Sequence, residues 1–315
     1  MQNPMSPATS VLEPSMICAV VVTYEPDDSS LECVRSVIAR CTHTVIVDNC
    51  SKEPRRVALR QLQSEAVTLI ENDSNTGVAA GFNTGIRAAA ARNYRWFLLF
   101  DQDTRIFPST LPELVLVHAQ CSAALGPRLA FLGCGYYSTL EDGTIIHGQD
   151  APRSNQSWYV TDLVITSGTL ISWRNFQDIG AFREDFFIDH VDHDYSLRAQ
   201  RMGFAVTRTT FPLMVHRMGA QRVRRRWRAL GAKKMLNYYS PLRRYYQVRN
   251  FHALAISYED EFPASIAQLR DWLRRELSRS LRYETGLIRI LIAVFLARRD
   301  SRRGVSGKYK GGFAL

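Results

Sequence analysis

Over the first hundred residues, short apolar runs alternate with amphipathic stretches, each run closing on polar residues. Residues 16–23 are almost wholly apolar and predict a buried strand, and Tyr24-Glu25-Pro26-Asp27-Asp28 follows as a loop. Leu31, Val34, Val37 and Ile38 recur at helical spacing, and residues 44–47 form a second strand ending in Asp48-Asn49. A helix over about 53–64, a strand over 67–70 and an Ala-rich helix to Ala91 lead to Trp96-Phe97-Leu98-Leu99-Phe100, which runs straight into Asp101-Gln102-Asp103. Strands alternating with helices imply right-handed crossovers and a parallel sheet. In such a sheet Thr23-Tyr24, Asp48-Asn49, Asn72-Asp73 and Asp101-Asp103 share one edge, where open α/β sheets bind ligands.

Further along, 111–121 reads as a helix and 129–137 as a strand. Residues 138–161 read as a hairpin or surface loop, and 163–166 and 169–173 flank a Ser167-Gly168 bend. Val191, Leu197 and Met202 mark the buried face of a helix ending near Gly203, followed by a strand over 204–209 and a second apolar stretch that brings His216 to its end.

Composition adds a split in charge. Residues 1–216 hold 17 Lys/Arg against 23 Asp/Glu, whereas 217–315 hold 23 against 7, so the overall +10 belongs to the last third. Hydrophobic content of 46% excludes a disordered chain. Six cysteines without a C-x-x-C pair read as reduced thiols in a cytosolic protein, with no zinc site. The polar N-terminus shows no secretory signal, and the apolar run 287–296, broken by Arg289, is far short of the ~20 residues a membrane span needs.

The candidate chemistry is acidic. Asp101 and Asp103, one residue apart in a crevice, repel unless a cation lies between them, and such oxygen ligands suit Mg²⁺ or Mn²⁺ holding a diphosphate. Asp48-Asn49 alone would pass for a cap or turn, and Gly77 and Gly81 for helix–sheet packing. Asp189, Asp192 and His193 gather on one helix face beside Asp194, a setting for a base that takes a proton from a hydroxyl. His216 is a candidate third metal ligand.

Taken in order, Val21-Val22-Thr23-Tyr24, Val47-Asp48-Asn49, Asn75-x-Gly77-x-Ala79-x-Gly81-x-Asn83, Asp101-Gln102-Asp103, Ser167-Gly168, Phe186-Phe187-Ile188-Asp189-x-Val191-Asp192-x-Asp194 and Val215-His216-x-x-Gly219 resemble family 2 glycosyltransferases of the GT-A fold. Within these the chain is most similar to bacterial dTDP-rhamnosyltransferases of surface polysaccharide synthesis, over roughly residues 16–252. The resemblance implies an α/β, Rossmann-like, mainly parallel sheet with flanking helices and a C-terminal helical extension. It implies an inverting, metal-dependent transfer of a sugar, L-rhamnose from dTDP-rhamnose first and a UDP- or GDP-sugar second, to a glycan or lipid-linked acceptor. By position, Thr23, Tyr24 and Asp48 would hold base and ribose, and Asn75 and Gly77 would line the nucleotide pocket. Asp101 and Asp103 would bind metal and diphosphate with His216. Asp192 would be the base, with Asp189 and Asp194 as alternatives, since Val191 stands where the family carries Glu. Tyr245-Tyr246-x-x-Arg249-Asn250 also occurs in those rhamnosyltransferases and would put Arg249 on the diphosphate or the acceptor.

The expected organisation is a flexible 1–15, a catalytic 16–220 and a basic helical 221–315. In the last part, 222–228 and 243–250 interleave Arg with aromatics, and Ile266, Leu269, Leu273, Leu277 and Leu281 form an apolar stripe between arginines. That pattern, followed by 287–296, fits a peripheral protein on the cytoplasmic face of an anionic membrane. A nucleic-acid-binding module is the rival from another class, but it leaves the acidic strand ends unexplained, so no nucleic acid is expected. A nucleotidyltransferase would show a Gly/Arg/Lys-rich loop where Tyr24-Glu25-Pro26-Asp27 stands. A homodimer is left open.

Overall fold

The computed structural model describes residues 12–139, 145–146, 155–217, 221–225, 233–237, 239–283 and 286–311. Most of the expected N-terminal arm, much of the 138–161 loop, Met218-Gly219 and 226–228 lie outside them. In chain order the elements are β1 (Ile17–Thr23), α1 (Asp28–Ile38), β2 (His43–Asp48), α2 (Arg55–Arg60), β3 (Val67–Glu71), α3 (Val78–Ala91) and β4 (Trp96–Asp101). Next come β5 (Thr104–Ile106), α4 (Thr110–Leu125), β6 (Leu129–Thr139), β7 (Ile145–Ile146), β8 (Trp158–Val160), β9 (Thr169–Ser172), α5 (Trp173–Ile179) and α6 (Val191–Arg201). They are followed by β10 (Ala205–Arg217), β11 (Gln221–Arg225), β12 (Lys233–Asn237), α7 (Pro241–Tyr258), α8 (Pro263–Tyr283) and α9 (Leu287–Arg302).

The main sheet runs β3-β2-β1-β4-β9-β6-β10-β5. Strands β1 to β4 are mutually parallel where they pair, with Thr23 opposite Asp48, Asp48 opposite Glu71 and Val22 opposite Asp101. The four polar strand ends therefore share one edge, as expected. Alternate residues feed two cores: Cys18, Val20, Val22, Phe97 and Leu99 enter one, Ile17, Ala19, Val21, Leu98 and Phe100 the other. Burial on both faces explains why these strands read as unbroken apolar runs.

Several expectations change. The helix expected over 53–64 is only α2, and α5 and β5 had no clear signal. The two apolar stretches around Pro212 form one strand, β10, whose pairing with β6 shifts register on either side of the proline, which has no N–H for the ladder. Most of the apolar stripe of α8 is covered by protein: Ile266, Leu269 and Leu273 share a core with Tyr245, Tyr246 and Phe251 of α7 and with Ala293 and Ala297 of α9, Leu277 is partly buried against it, and only Leu281 at the end of the stripe is exposed. The 243–250 stretch is no outward basic ribbon either, because Arg244, Tyr245, Tyr246, Arg249 and Asn250 are all buried.

Candidate active site

The tight turn that leads from β4 to β5 places Asp101 and Asp103. Gln102, between them, grips the exit of β1: Tyr24 N–H donates to Gln102 Oε1 at 2.7 Å, and Gln102 Nε2 donates to the Tyr24 carbonyl at 3.2 Å. Asp101 N–H donates to Ser167 Oγ at 3.0 Å, and Ser167 Oγ lies 2.7 Å from Thr104 Oγ1. Thr104 lies opposite His216 in the antiparallel β5–β10 pair and hydrogen-bonds its Nδ1 at 2.8 Å. Sequence-distant residues thus converge, and Asp101, Asp103 and His216 each offer a ligand atom within 4.8 Å of the others.

The electrostatics of this trio favour a cation. Burial, then the Asp103 charge, push the Asp101 carboxyl up to about 6, while His216 and Arg243 pull the other way. Asp103 Oδ1, buried and 3.4 Å from His216 Nδ1, has no hydrogen-bond partner. A divalent ion would relieve both strains, and two carboxylates with one imidazole suit Mg²⁺ or Mn²⁺.

On the next two strands the expected nucleotide residues do mixed work. Asp48 is wholly buried and accepts from Thr23 Oγ1 at 3.2 Å, from Ser51 N–H at 2.9 Å and from Ser51 Oγ at 2.5 Å, with Arg56 Nε at 3.5 Å. Its carboxylate braces the wall rather than projecting from it, whereas Tyr24, 48% exposed, is open to a ligand. Asn75 Oδ1 accepts from Gly77 N–H at 3.0 Å, and the Gly77 carbonyl accepts from Asn49 Nδ2 at 2.9 Å. Gly77 has φ +91°, and a Cβ there would lie 2.4 Å from the Phe187 carbonyl oxygen. The glycine lets the 184–190 segment dock on the start of α3, where Val78 N–H donates to that carbonyl at 2.8 Å.

That docked segment carries the second acidic patch. Phe187, Asp189 and His190 all have φ near +65°, an unfavourable conformation for residues with side chains. It is pinned from α7: Asn250 Nδ2 donates to the carbonyls of Phe186, Ile188 and Asp189, and Arg249 Nη2 to those of Asp185 and Phe186. Arg249, expected at the diphosphate, is buried and spent on backbone carbonyls, so its charge holds the loop instead.

The three candidate bases now separate. Asp189 is paired with Arg243, whose Nε and Nη2 donate to it at 3.2–3.3 Å. Asp194 is buried between Arg198 at 3.4 Å and Arg183 at 3.7 Å and accepts from Tyr258 OH at 3.1 Å. Asp192 has no arginine partner among the described residues; it accepts only from His193 N–H at 2.9 Å and is 22% exposed. It lines a recess with Phe131, Val164, Phe182 and Tyr195, and its charge is felt at Asp101. Arg243 was not singled out from the sequence as a site residue, since it lay within a longer basic string. Its charge reaches both Asp101 and Asp103 from the first turn of α7.

The fold is that of the GT-A glycosyltransferases. Residues 18–173 match the family model described as Glycosyl transferase family 2, and the chain carries a glycosyltransferase domain of that family. It is 29% identical over 242 residues to a dTDP-rhamnosyl transferase RfbF of Shigella flexneri, covering 75% of this chain and 78% of that one. Among solved structures it is similar to S. aureus TarS 1-349 in complex with UDP-GlcNAc, with a TM-score of 0.59, 15% identity, and 92% of this chain and 81% of that one covered. It is also similar to GalNAc-T7 with UDP, GalNAc and Mn2+, with a TM-score of 0.53 and 15% identity, over 91% of this chain but only 54% of that longer one.

Proposed function

We propose that this protein is an inverting glycosyltransferase that moves a sugar from a nucleoside diphosphate, dTDP-L-rhamnose first among the candidates, to a hydroxyl of a glycan or lipid-linked acceptor in polysaccharide synthesis. One observation carries the reading: of three neighbouring carboxylates, Asp192 alone is free of an arginine, partly open, and electrostatically linked to the Asp101/Asp103/His216 trio. Asp192 takes the proton of the acceptor hydroxyl as that oxygen bonds to the anomeric carbon; the bond from that carbon to the diphosphate oxygen breaks on the opposite face. Asp101, Asp103 and His216 would hold Mg²⁺ or Mn²⁺, which supplies positive charge against the departing diphosphate when bound. Arg243 lends a second positive charge from the rim. Thr23, Asp48, Asn75 and Gly77 shape the nucleotide wall, and Tyr24 faces the base. The dTDP-rhamnose assignment draws on the Shigella flexneri relative.

Thermal-shift titration of dTDP, UDP and GDP, each with Mn²⁺ or with EDTA, tests this. Metal-dependent stabilisation greatest with dTDP is expected. Equal shifts with EDTA would remove the metal role, and a larger shift with UDP or GDP would reassign the donor.

A further inference from the structure

The stripe that faces outward is on α9, not α8. Ile288, Leu291 and Phe295 are 74%, 55% and 67% exposed and fall at i, i+3 and i+7 on one face. The same line continues through Arg298 and Arg302, both exposed, with Arg289 exposed beside its start. The opposite face, Ile290, Ala293 and Ala297, is buried, so the helix is already seated and its outward apolar row is spare surface. The only carboxylate on α9, Asp300, is buried and accepts from Tyr245 OH at 2.9 Å and from its neighbour Arg299, leaving no acidic side chain on the exposed face.

We infer that α9 is a monotopic docking helix that lies flat on an anionic lipid surface, with Ile288, Leu291 and Phe295 among the acyl chains and Arg289, Arg298 and Arg302 on the headgroups. Charge decides the occupant. An apolar row continued by arginines with no exposed carboxylate complements a negatively charged bilayer, and the last third of the chain carries 23 Lys/Arg against 7 Asp/Glu. A second copy would have to bring the same arginines together. No helix among the described residues is long and apolar enough to cross a membrane, so attachment through this helix lies along the surface.

Flotation of the full chain with phosphatidylglycerol-containing and with pure phosphatidylcholine vesicles tests this without reference to catalysis. The chain should float with the anionic vesicles and stay down with the neutral ones. Leu291→Glu/Phe295→Glu should lower the bound fraction on the order of tenfold or more, and Arg298→Ser/Arg302→Ser about fivefold per arginine at low salt. Both pairs are exposed, so melting temperatures should not move, and circular dichroism melts check that the variants are folded. Absence of flotation, equal flotation on both vesicles, or unchanged binding of the folded variants would overturn the inference. So would a dimer by light scattering that Leu291→Glu/Phe295→Glu dissociates, which would give the face to a second copy, or RNA binding that the same pair abolishes.

Discussion

Asp192→Asn and Asp194→Asn make nearly the same chemical change two residues apart and should have opposite consequences. Asp192 is partly open, and its one hydrogen bond comes from His193 N–H to Oδ1, which the amide oxygen of Asn keeps. Stability should therefore stay within about 0.5 kcal/mol, as for an ordinary surface change. Loss of a positioned base lowers turnover by roughly 10²–10⁴, equivalent to about 3–5 kcal/mol of barrier. At Asp194 burial outweighs the pull of Arg198 and Arg183, so the carboxyl is raised and its charge is held at little net gain. Asn still accepts from Tyr258 OH, and the two arginines, with side chains 27% and 34% exposed, still reach water. That variant should lose about 1 kcal/mol, or roughly 2–4 °C, while turnover stays within about threefold. The assay is release of nucleoside diphosphate with a membrane extract as acceptor source, alongside melting with and without nucleotide and Mn²⁺. Asp192→Asn should keep its nucleotide-induced shift. More than a tenth of normal turnover in Asp192→Asn, or an equal collapse in Asp194→Asn, would refute the assignment and move the base.

Other outcomes follow from the same geometry. Arg243→Ala strips the charge that reaches Asp101 and Asp103 and should lower kcat/KM for the donor roughly tenfold, with Arg243→Lys recovering part of it; steady-state kinetics would reveal an unchanged value. Gly77→Ala forces a Cβ to 2.4 Å from the Phe187 carbonyl at φ +91°, so a loss of about 1–3 kcal/mol in a denaturant melt and a raised donor KM are expected. His118, buried edge-on against Trp96, is held down to about 4 by burial. The unfolded chain takes up that proton as pH falls through 6.5 and the folded chain does not until near 4, so stability falls across that window by up to about 3 kcal/mol. Melts of His118→Gln over the same pH range should show a shallower acid loss, and an identical slope would exclude His118 as a source.

Local pattern determined much of this protein. Apolar runs at 17–23, 43–48 and 96–101 become parallel strands because both sheet faces are covered, and parallel pairing brings their polar ends to one edge. Asp101 ends its strand and Asp103 follows in the turn, so their place at the sheet edge was legible from the abrupt apolar-to-acidic step. His216 was legible as a candidate because its strand ended in it, although the Thr104–Ser167 relay that brings it to Asp103 was not.

Tertiary structure decided what depends on partners far away in the chain. Periodicity shows which face of a helix is apolar, but not what covers it: the stripe of α8 looked free and is buried along most of its length, while the row on α9 is exposed. Charge shows where arginines lie, but not what each one meets. Arg249 is consumed by backbone carbonyls 63 and 64 residues earlier, and Arg243 closes on Asp189 across 54 residues. Asp189, Asp192 and Asp194 look interchangeable in sequence because ionic pairing is a through-space property. Only the folded chain leaves Asp192 without a guanidinium, and that difference sets the proposed base apart from two carboxylates that hold the loop and the helix in place.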